Sequence, residues 1–459
     1  MRRTPQARRL HAAAALALVL APAAARANGF ALDLQGTFAN GTAGAGAAAA
    51  RDPAAQFANP AVLAALDETH VVAGGMLVVP SARFTDGGST ILAGAAPLPG
   101  SGGDGASAAG VPWIFASHRL RPSLVAGFGV ASTFGLATRY AGDFVGRYQG
   151  TESRIEALAF GPALAWSPVE RWAVGASVAA RYDRVLLKQA LDLGSACVAA
   201  LSGTLGAGAP GACQAQYGLV PGQTDGSGRF KGTGWGWTAN VGVTFEPVPG
   251  TTLGLAWRHE AKATVKGDET FALPAGAAAF FTDVGQAGAL GGSRARLDLD
   301  LPDFVTLSAA QKLGKSVTLH GALQYSLWSR FDTVTLRPDD PATGLEVRSR
   351  QGYRNAVRLA VGAAWSVRKR FDLYGGVAYE QSPITDAHRQ ATLPERDSIL
   401  VGLGGEVALT DSFTLSLGAQ HVEAVGASKI DQTGEGGDRL VGTAKVRATL
   451  ALLQVGWRR

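Results

Sequence analysis

Apolar and polar residues alternate along most of this chain, and the alternating segments are joined by connections that are short and long in turn. In 316–328, Val317, Leu319, Leu323, Tyr325 and Leu327 share one parity, while Thr318, His320, Gln324 and Ser326 share the other. Side chains of a strand point to opposite faces at period two, so such a segment has one apolar face and one polar face. A soluble sandwich has the same alternation, and the connections discriminate between the two. Tight turns at one rim and long loops at the other are the pattern of an outer-membrane barrel.

The first 27 residues have the form of a secretory signal. Arg2, Arg3, Arg8 and Arg9 precede an Ala/Leu/Val run, and Ala25-Arg26-Ala27 is a small-x-small cleavage site. The formal charge of +6 includes five arginines of that segment (Arg26 with the four above) and no acid, so about +1 remains in the mature chain. The basic composition therefore does not point to nucleic acid. No mature stretch reads as a transmembrane helix. Membrane entry would then require a closed barrel, the other way to satisfy every backbone group in lipid. Cys197 and Cys213 lie in one Gly/Ala/Ser-rich stretch. An oxidising compartment favours a bridge over two free thiols, and closing so small a loop would contribute about 3 kcal/mol.

Residues 28–66 lack strand alternation and hold Asp52-Pro53 and Asn59-Pro60, with room for a short helix at 46–51. Fourteen strands follow, at about 69–84, 110–119, 123–138, 152–167, 170–188, 230–246, 251–266, 296–313, 316–336, 345–366, 370–381, 396–409, 412–428 and 440–457. The number is even, as single-chain bacterial barrels require. Tight turns such as Pro168-Val169, Gly314-Lys315 and Thr410-Asp411 alternate with long loops at 85–109, 139–151, 189–229, 267–295, 337–344, 382–395 and 429–439. Loops of that length are uncommon in compact soluble domains. Trp113, Trp166, Trp172, Trp257, Trp328, Trp365 and Trp457 stand near strand ends, where an interfacial aromatic girdle would place them. The expected organisation is a signal segment (1–27), an N-terminal plug (28–66) and an all-β, 14-stranded antiparallel transmembrane barrel (67–459).

Several motifs sharpen this. Asn28-Gly29-Phe30-Ala31-Leu32 precedes a small-residue stretch and Asn59-Pro60-Ala61; Thr133-Phe134-Gly135-Leu136 is followed by Gly146-Arg147-Tyr148. Leu301-Pro302-Asp303 and Trp328-Ser329-Arg330-Phe331 come next, then Ala378-Tyr379-Glu380-Gln381-Ser382-Pro383-Ile384-Thr385-Asp386 with Arg389, Leu393-Pro394 and Asp397. Over essentially the whole mature chain these resemble the FadL-type outer-membrane transporters of long-chain fatty acids and hydrophobic hydrocarbons. The resemblance implies a monomeric plugged barrel that takes up hydrophobic substrate passively and releases it sideways through a gap at a kinked third strand. It puts Phe30 beside the inner pocket, Asn59, Pro60 and Ala61 in the plug, and Gly135 at the kink. A glycine inside a strand permits such a bend, although a glycine that merely relieves crowding would read the same way.

A fatty-acid carboxylate needs a cation or several donors when buried. The resemblance implies basic residues projecting into the lumen, with Lys188 at one position. The second carries Ser349 between Arg348 and Arg350, a departure that leaves room for uncharged or aromatic hydrocarbons. The expected partners are a hydrophobic small molecule, outer-membrane lipid with its lipopolysaccharide, and the barrel assembly machinery, for which Trp457 would end the last strand ahead of Arg458-Arg459. Neither cofactor nor nucleic acid is expected. An enzyme is disfavoured, because His70, His118, His259, His320, His388 and His421 are scattered and no Gly-x-Ser-x-Gly elbow is present. A general porin would have no use for the plug-like 28–66; a structural or adhesin barrel, whose long loops would bind a partner, predicts no uptake.

Overall fold

The computed structural model describes residues 29–49, 51–434 and 436–459; the expected signal segment and Asn28 lie outside the described residues. Fourteen antiparallel strands form a closed barrel. They begin with β1 (Thr69–Asp86), β2 (Ala109–Arg121), β3 (Leu124–Arg139), β4 (Glu152–Val169), β5 (Trp172–Asp192) and β6 (Asp225–Val248). Four interrupted strands follow: β7 (Thr251–Glu260, then Ala263–Ala272), β8 (Ser293–Leu299, then Phe304–Leu313), β9 (Val317–Ser326, then Thr333–Pro338) and β10 (Val347–Arg350, then Ala356–Arg368). The wall ends with β11 (Phe371–Glu380), β12 (Ser398–Ala408), β13 (Phe413–Ala424, then Ser428–Thr433) and β14 (Arg439–Arg458), which closes on β1 with Met76 opposite Leu452.

The alternation is resolved inside out, as lipid demands. On β9 the apolar Leu319, Leu323 and Tyr325 are 45%, 42% and 41% exposed, whereas His320, Gln324 and Ser326 are buried in the lumen. Trp166, Trp172, Trp257 and Trp365 face outward, joined by Trp235 and Trp237. Trp113 and Trp328 do not belong to this girdle. Both are buried: Trp113 donates to Gln454 Oε1 at 2.9 Å, and Trp328 packs its edge against Phe30 with ring centroids 5.2 Å apart.

The interruptions in β7 to β10 were not expected from periodicity, and they matter because pairing parity does not survive them. In the lower part of β10 the even-numbered Ala356, Arg358 and Ala360 are buried, while above the break Val347, Ser349 and Gln351 line the lumen. The same reversal occurs in β7, between buried Arg258 and Glu260 below and Ala263 and Val265 above, and in β8, between Ala295 and Leu297 above and Ser308 and Ala310 below.

The described residues of the N-terminal stretch, 29–49 and 51–66, lie inside the barrel. They hold α1 (Thr37–Gly41) and 3-10 turns at Ala45–Ala48, Pro53–Phe57 and Pro60–Ala65. Of the helix expected at 46–51, the described part belongs to the short 3-10 turn at Ala45–Ala48. Asp52 and Asn59 each cap a turn by accepting from the backbone N–H two residues on, with Pro53 and Pro60 at the first position of the turn. Asn59 also donates to Val243 O at 3.2 Å. Beneath this turn Gly175 and Gly242 face one another in register. A Cβ on Gly242 would stand 2.1 Å from Asn59 Oδ1, and one on Gly175 would stand 2.4 Å from Ala61 N. The wall is dimpled where the plug presses on it.

The stretch Leu193–Tyr217 is long and apolar enough to cross a membrane by length and composition, contrary to expectation. It does not run straight. It is α2 (Leu193–Leu205) turning at Gly206–Gly208 into α3 (Ala209–Tyr217). Cys197 and Cys213 are disulfide-bonded with Cα atoms 6.0 Å apart. A continuous helix would hold residues so spaced about 24 Å apart at ~1.5 Å per residue, so the bridge requires the hairpin.

Candidate functional site

The wall has a gap on one side of β3. The ladder between β2 and β3 runs from Arg121–Leu124 up to Trp113–Ala131 and stops. One residue further, β3 carries a bulge against β4, where Thr133 is the extra residue between Ser132 and Phe134. Above it, groups that β2 no longer satisfies are taken by the plug. Leu32 N donates to Thr133 O at 2.8 Å, Gly135 N donates to Phe30 O at 2.8 Å, and Gln35 Nε2 donates to Ser132 O at 2.8 Å. Unpaired backbone groups at membrane depth cost several kcal/mol each, so the plug's first residues hold the gap as a substitute strand.

Two cavities meet this segment. Above the plug is a chamber of about 220 Å³, lined by Phe30, Leu136, Ile155, Val185, Phe230, Leu297, Phe331 and Tyr353 among others. A recess of about 50 Å³ opens on the other side, bounded by Leu32, Gly110, Val111, Pro112, Phe134 and Gly135, with Leu158 and Tyr182 from the outer wall. Phe30 and Phe134, 5.8 Å apart at their centroids, separate the two. Phe30 is held on its other sides by Trp328 and Phe331. Gly29 has φ +67°, and a Cβ there would lie 2.5 Å from the Trp328 ring, so only glycine lets the chain enter this corner.

The sequence-nominated residues separate into three places. Phe30 and Gly135 come together, bonded through their backbones, although the bulge itself falls at Thr133, two residues before Gly135. Asn59, Pro60 and Ala61 are plug anchors away from the chamber. The basic residues do not converge. Lys188 borders the chamber, but it is exposed and carries the parity opposite to buried Asp183 and Val185. Arg348 and Arg350 are exposed and absent from the lining, which takes Val347, Ser349 and Gln351 instead. The break at 351–355 reverses the parity of β10 and turns both arginines outward.

Residues not singled out from the sequence complete the site. Glu269, on the inward parity of β7, is 4% exposed in the chamber and accepts from Leu345 N at 3.0 Å. Gln390 and Gln351 both donate to Ser349 Oγ. Arg358, also inward, joins Asp33 of the plug at 2.8 Å to Glu380 of β11 at 3.1 Å. Its partner Glu380 belongs to the longest motif, whose other members shape the roof. Asp397 accepts from Tyr379 OH at 2.6 Å and Ser382 N at 2.9 Å, Arg389 pairs with Asp386, and Ile384 and Leu393 are buried against the chamber's apolar cluster. Arg147 and Tyr148 both bind Asp225, and Arg147 also reaches Pro99 O and Gly222 O, tying three loops together.

With the plugged barrel and its lateral gap in view, comparison with known proteins decides the family. A family model described as outer membrane protein transport protein (OMPP1/FadL/TodX) matches residues 18–458. The chain belongs to that family. It is 24% identical to a long-chain fatty acid transport protein of Escherichia coli O6:H1, over 94% of this chain and 96% of that protein. It is 26% identical to a 47 kDa outer membrane protein of Pasteurella multocida, with 90% of each covered. Among solved structures it resembles a Pseudomonas aeruginosa FadL homologue (TM-score 0.82, 20% identity, 94% of this chain and 99% of that one). It also resembles the P. putida toluene transporter TodX (TM-score 0.67, 17% identity, 93% and 99%). The protein is therefore a bacterial outer-membrane channel for hydrophobic molecules and not an enzyme.

Proposed function

We propose that this channel passively imports small uncharged hydrocarbons, aromatic ones in particular. The observation that carries the reading is the charge of the chamber. Among the described lining residues the buried carboxylate is Glu269, and the cations at the border, Lys188 and Arg229, are exposed. A fatty-acid head group seated beside Glu269 would meet like-charge repulsion with no buried cation to offset it. Size agrees. An apolar cavity of ~150 Å³ accommodates benzene and drug-sized sites span roughly 300–1,000 Å³; about 220 Å³ suits a one-ring molecule. Phe30, Phe230, Phe271, Phe331 and Tyr353 offer ring faces and edges to it.

The proposed route runs from the chamber past Phe30 and Phe134 into the recess beside β3, and from there into the outer leaflet without an energy source. Uptake of labelled toluene and labelled oleate, in cells lacking the gene and carrying it, tests the reading. Toluene uptake should rise and oleate uptake should change little. A gain for oleate alone would restore the fatty-acid assignment, and a gain for neither would sink both. Replacing Glu269 with Gln should raise oleate binding while sparing toluene.

A further inference from the structure

Above the aromatic girdle, one arc of the outer wall changes chemistry within two residues. On β6 the outward parity runs Val243, Val241, then Trp237 and Trp235, then Thr233, Lys231 and Arg229. On β7 it runs Leu253, Leu255, Trp257, His259, then Lys262, Thr264 and Lys266. Pairing register sets Lys266 opposite Arg296 of β8, and Arg296 opposite Arg337 of β9. All three side chains are exposed, and the neighbours at alternate positions, Val265, Ala295, Leu297 and Leu336, are buried in the lumen. Directly opposed positions bring Cβ atoms to about 5 Å. Three cations thus stand in a row across three adjacent strands, on the lipid side.

Like charges directly opposite one another destabilise a sheet, and the carboxylates nearby cover only part of the row. Asp298 is 3.3 Å from Lys262 and 3.7 Å from Arg337, and Asp339 is 2.9 Å from Arg296. A third acid, Asp268, faces Lys231 and Arg294 in register. Among the described residues Lys266, Lys231 and Arg294 have no carboxylate within 4.0 Å. At these facing positions Lys231, Lys262, Lys266, Arg294, Arg296 and Arg337 thus share Asp268, Asp298 and Asp339. Their height, immediately beyond Trp235, Trp237 and Trp257, is that of lipid head groups. Guanidinium groups match the oxygens of phosphate in paired hydrogen bonds, and lysine adds a point charge.

We propose that Lys266, Arg296 and Arg337 bind a phosphate group of an anionic glycolipid in the outer leaflet. The site lies outside the lumen and does not depend on which hydrocarbon is imported.

The test uses the full-length protein purified in neutral detergent and titrated with diphosphoryl lipid A, followed by native mass spectrometry. The neutralised variant is Lys266→Gln/Arg296→Gln/Arg337→Gln. At about 1 kcal/mol per cation near an anionic lipid, it should bind about 100-fold more weakly. Lipid A stripped of phosphate should bind both proteins equally and weakly. Millimolar inorganic phosphate should not displace the phosphorylated lipid; full displacement would make the site one for free phosphate and overturn the lipid assignment. A folded variant that binds within twofold of the parent overturns the proposal. So does an equal loss in Lys312→Gln/Lys315→Gln, at the opposite rim. If the triple variant loses its heat-modifiable mobility on gels, Lys266→Gln alone should still weaken binding about fivefold.

Discussion

Replacing Arg358 with Met should release the plug without unfolding the barrel. Arg358 is buried, with its side chain 6% exposed, and its two partners are each 3% exposed; one of them, Asp33, belongs to the plug and the other, Glu380, to the wall. Removing the cation takes away a charge with which both buried carboxylates pair. Breaking a buried pair in this way costs about 3–5 kcal/mol. Arg358 and Glu380 oppose each other in the β10–β11 ladder, but backbone hydrogen bonds hold that pairing whatever the side chains, so the share of the cost carried by the Arg358–Asp33 contact falls on plug docking. Carried in full by the plug, that cost would shift the ratio of seated to displaced plug by roughly 10²–10⁴. Arg51 with Asp372, and Asp52 with Gln454 at 2.8 Å, still hold the plug's other end, so displacement should be intermittent. Single-channel recording in planar bilayers reads this directly. The parent should stay closed to ions, and the variant should open in bursts. Making the site neutral throughout, with Asp33→Asn and Glu380→Gln added, should restore closure, because a triad replaced as a set costs far less than one member removed. A correctly folded Arg358→Met protein that conducts like the parent would refute the latch. A triple variant as leaky as the single one would show that packing, not charge, seats the plug.

Three further outcomes follow from the same geometry. Gly242→Val should unseat the turn at Asn59, because a Cβ there meets Asn59 Oδ1 at 2.1 Å; bilayer conductance and antibiotic sensitivity should both rise. Cys197→Ser should make the α2–α3 hairpin protease-sensitive, losing about 3 kcal/mol of local stability on the chain-entropy account, while the barrel's heat stability stays unchanged. The Arg389 guanidinium holds the Asp386 carboxyl below its ordinary value, first through their hydrogen bond and then through charge. That contribution to the roof loop is therefore full above the unfolded value of about 3.9 and is lost as pH falls through the lower folded one. Limited proteolysis of 382–395 should accelerate below about pH 4 in the parent. In Asp386→Asn it should be fast and nearly independent of pH.

The alternation and the order of connections show how much of the molecule could be read in one dimension. Period-two alternation and the order of turns determined the wall, the strand number and the rim from which each loop springs, because a strand's two faces follow from its backbone alone. The break in alternation over 28–66 marked off the plug, but the caps that Asp52 and Asn59 make there appear only in the folded chain. Pairing decided the rest. Continuity of parity would turn Arg348 and Arg350 inward with Arg358, but the break at 351–355 reverses it, and nothing in the alternation marks a register change. The same reversal in β7 brings Glu269 into the chamber. Trp113 and Trp328 stand near strand ends like the girdle residues, and only the closed barrel shows them facing Gln454 and Phe30. The position of the gap depends on where β2 stops pairing and on the plug segment that replaces it, a contact between residues about a hundred positions apart. Local patterning sets which residues can share a face; which face meets the lumen, and what stands opposite, is a property of the assembled ladder.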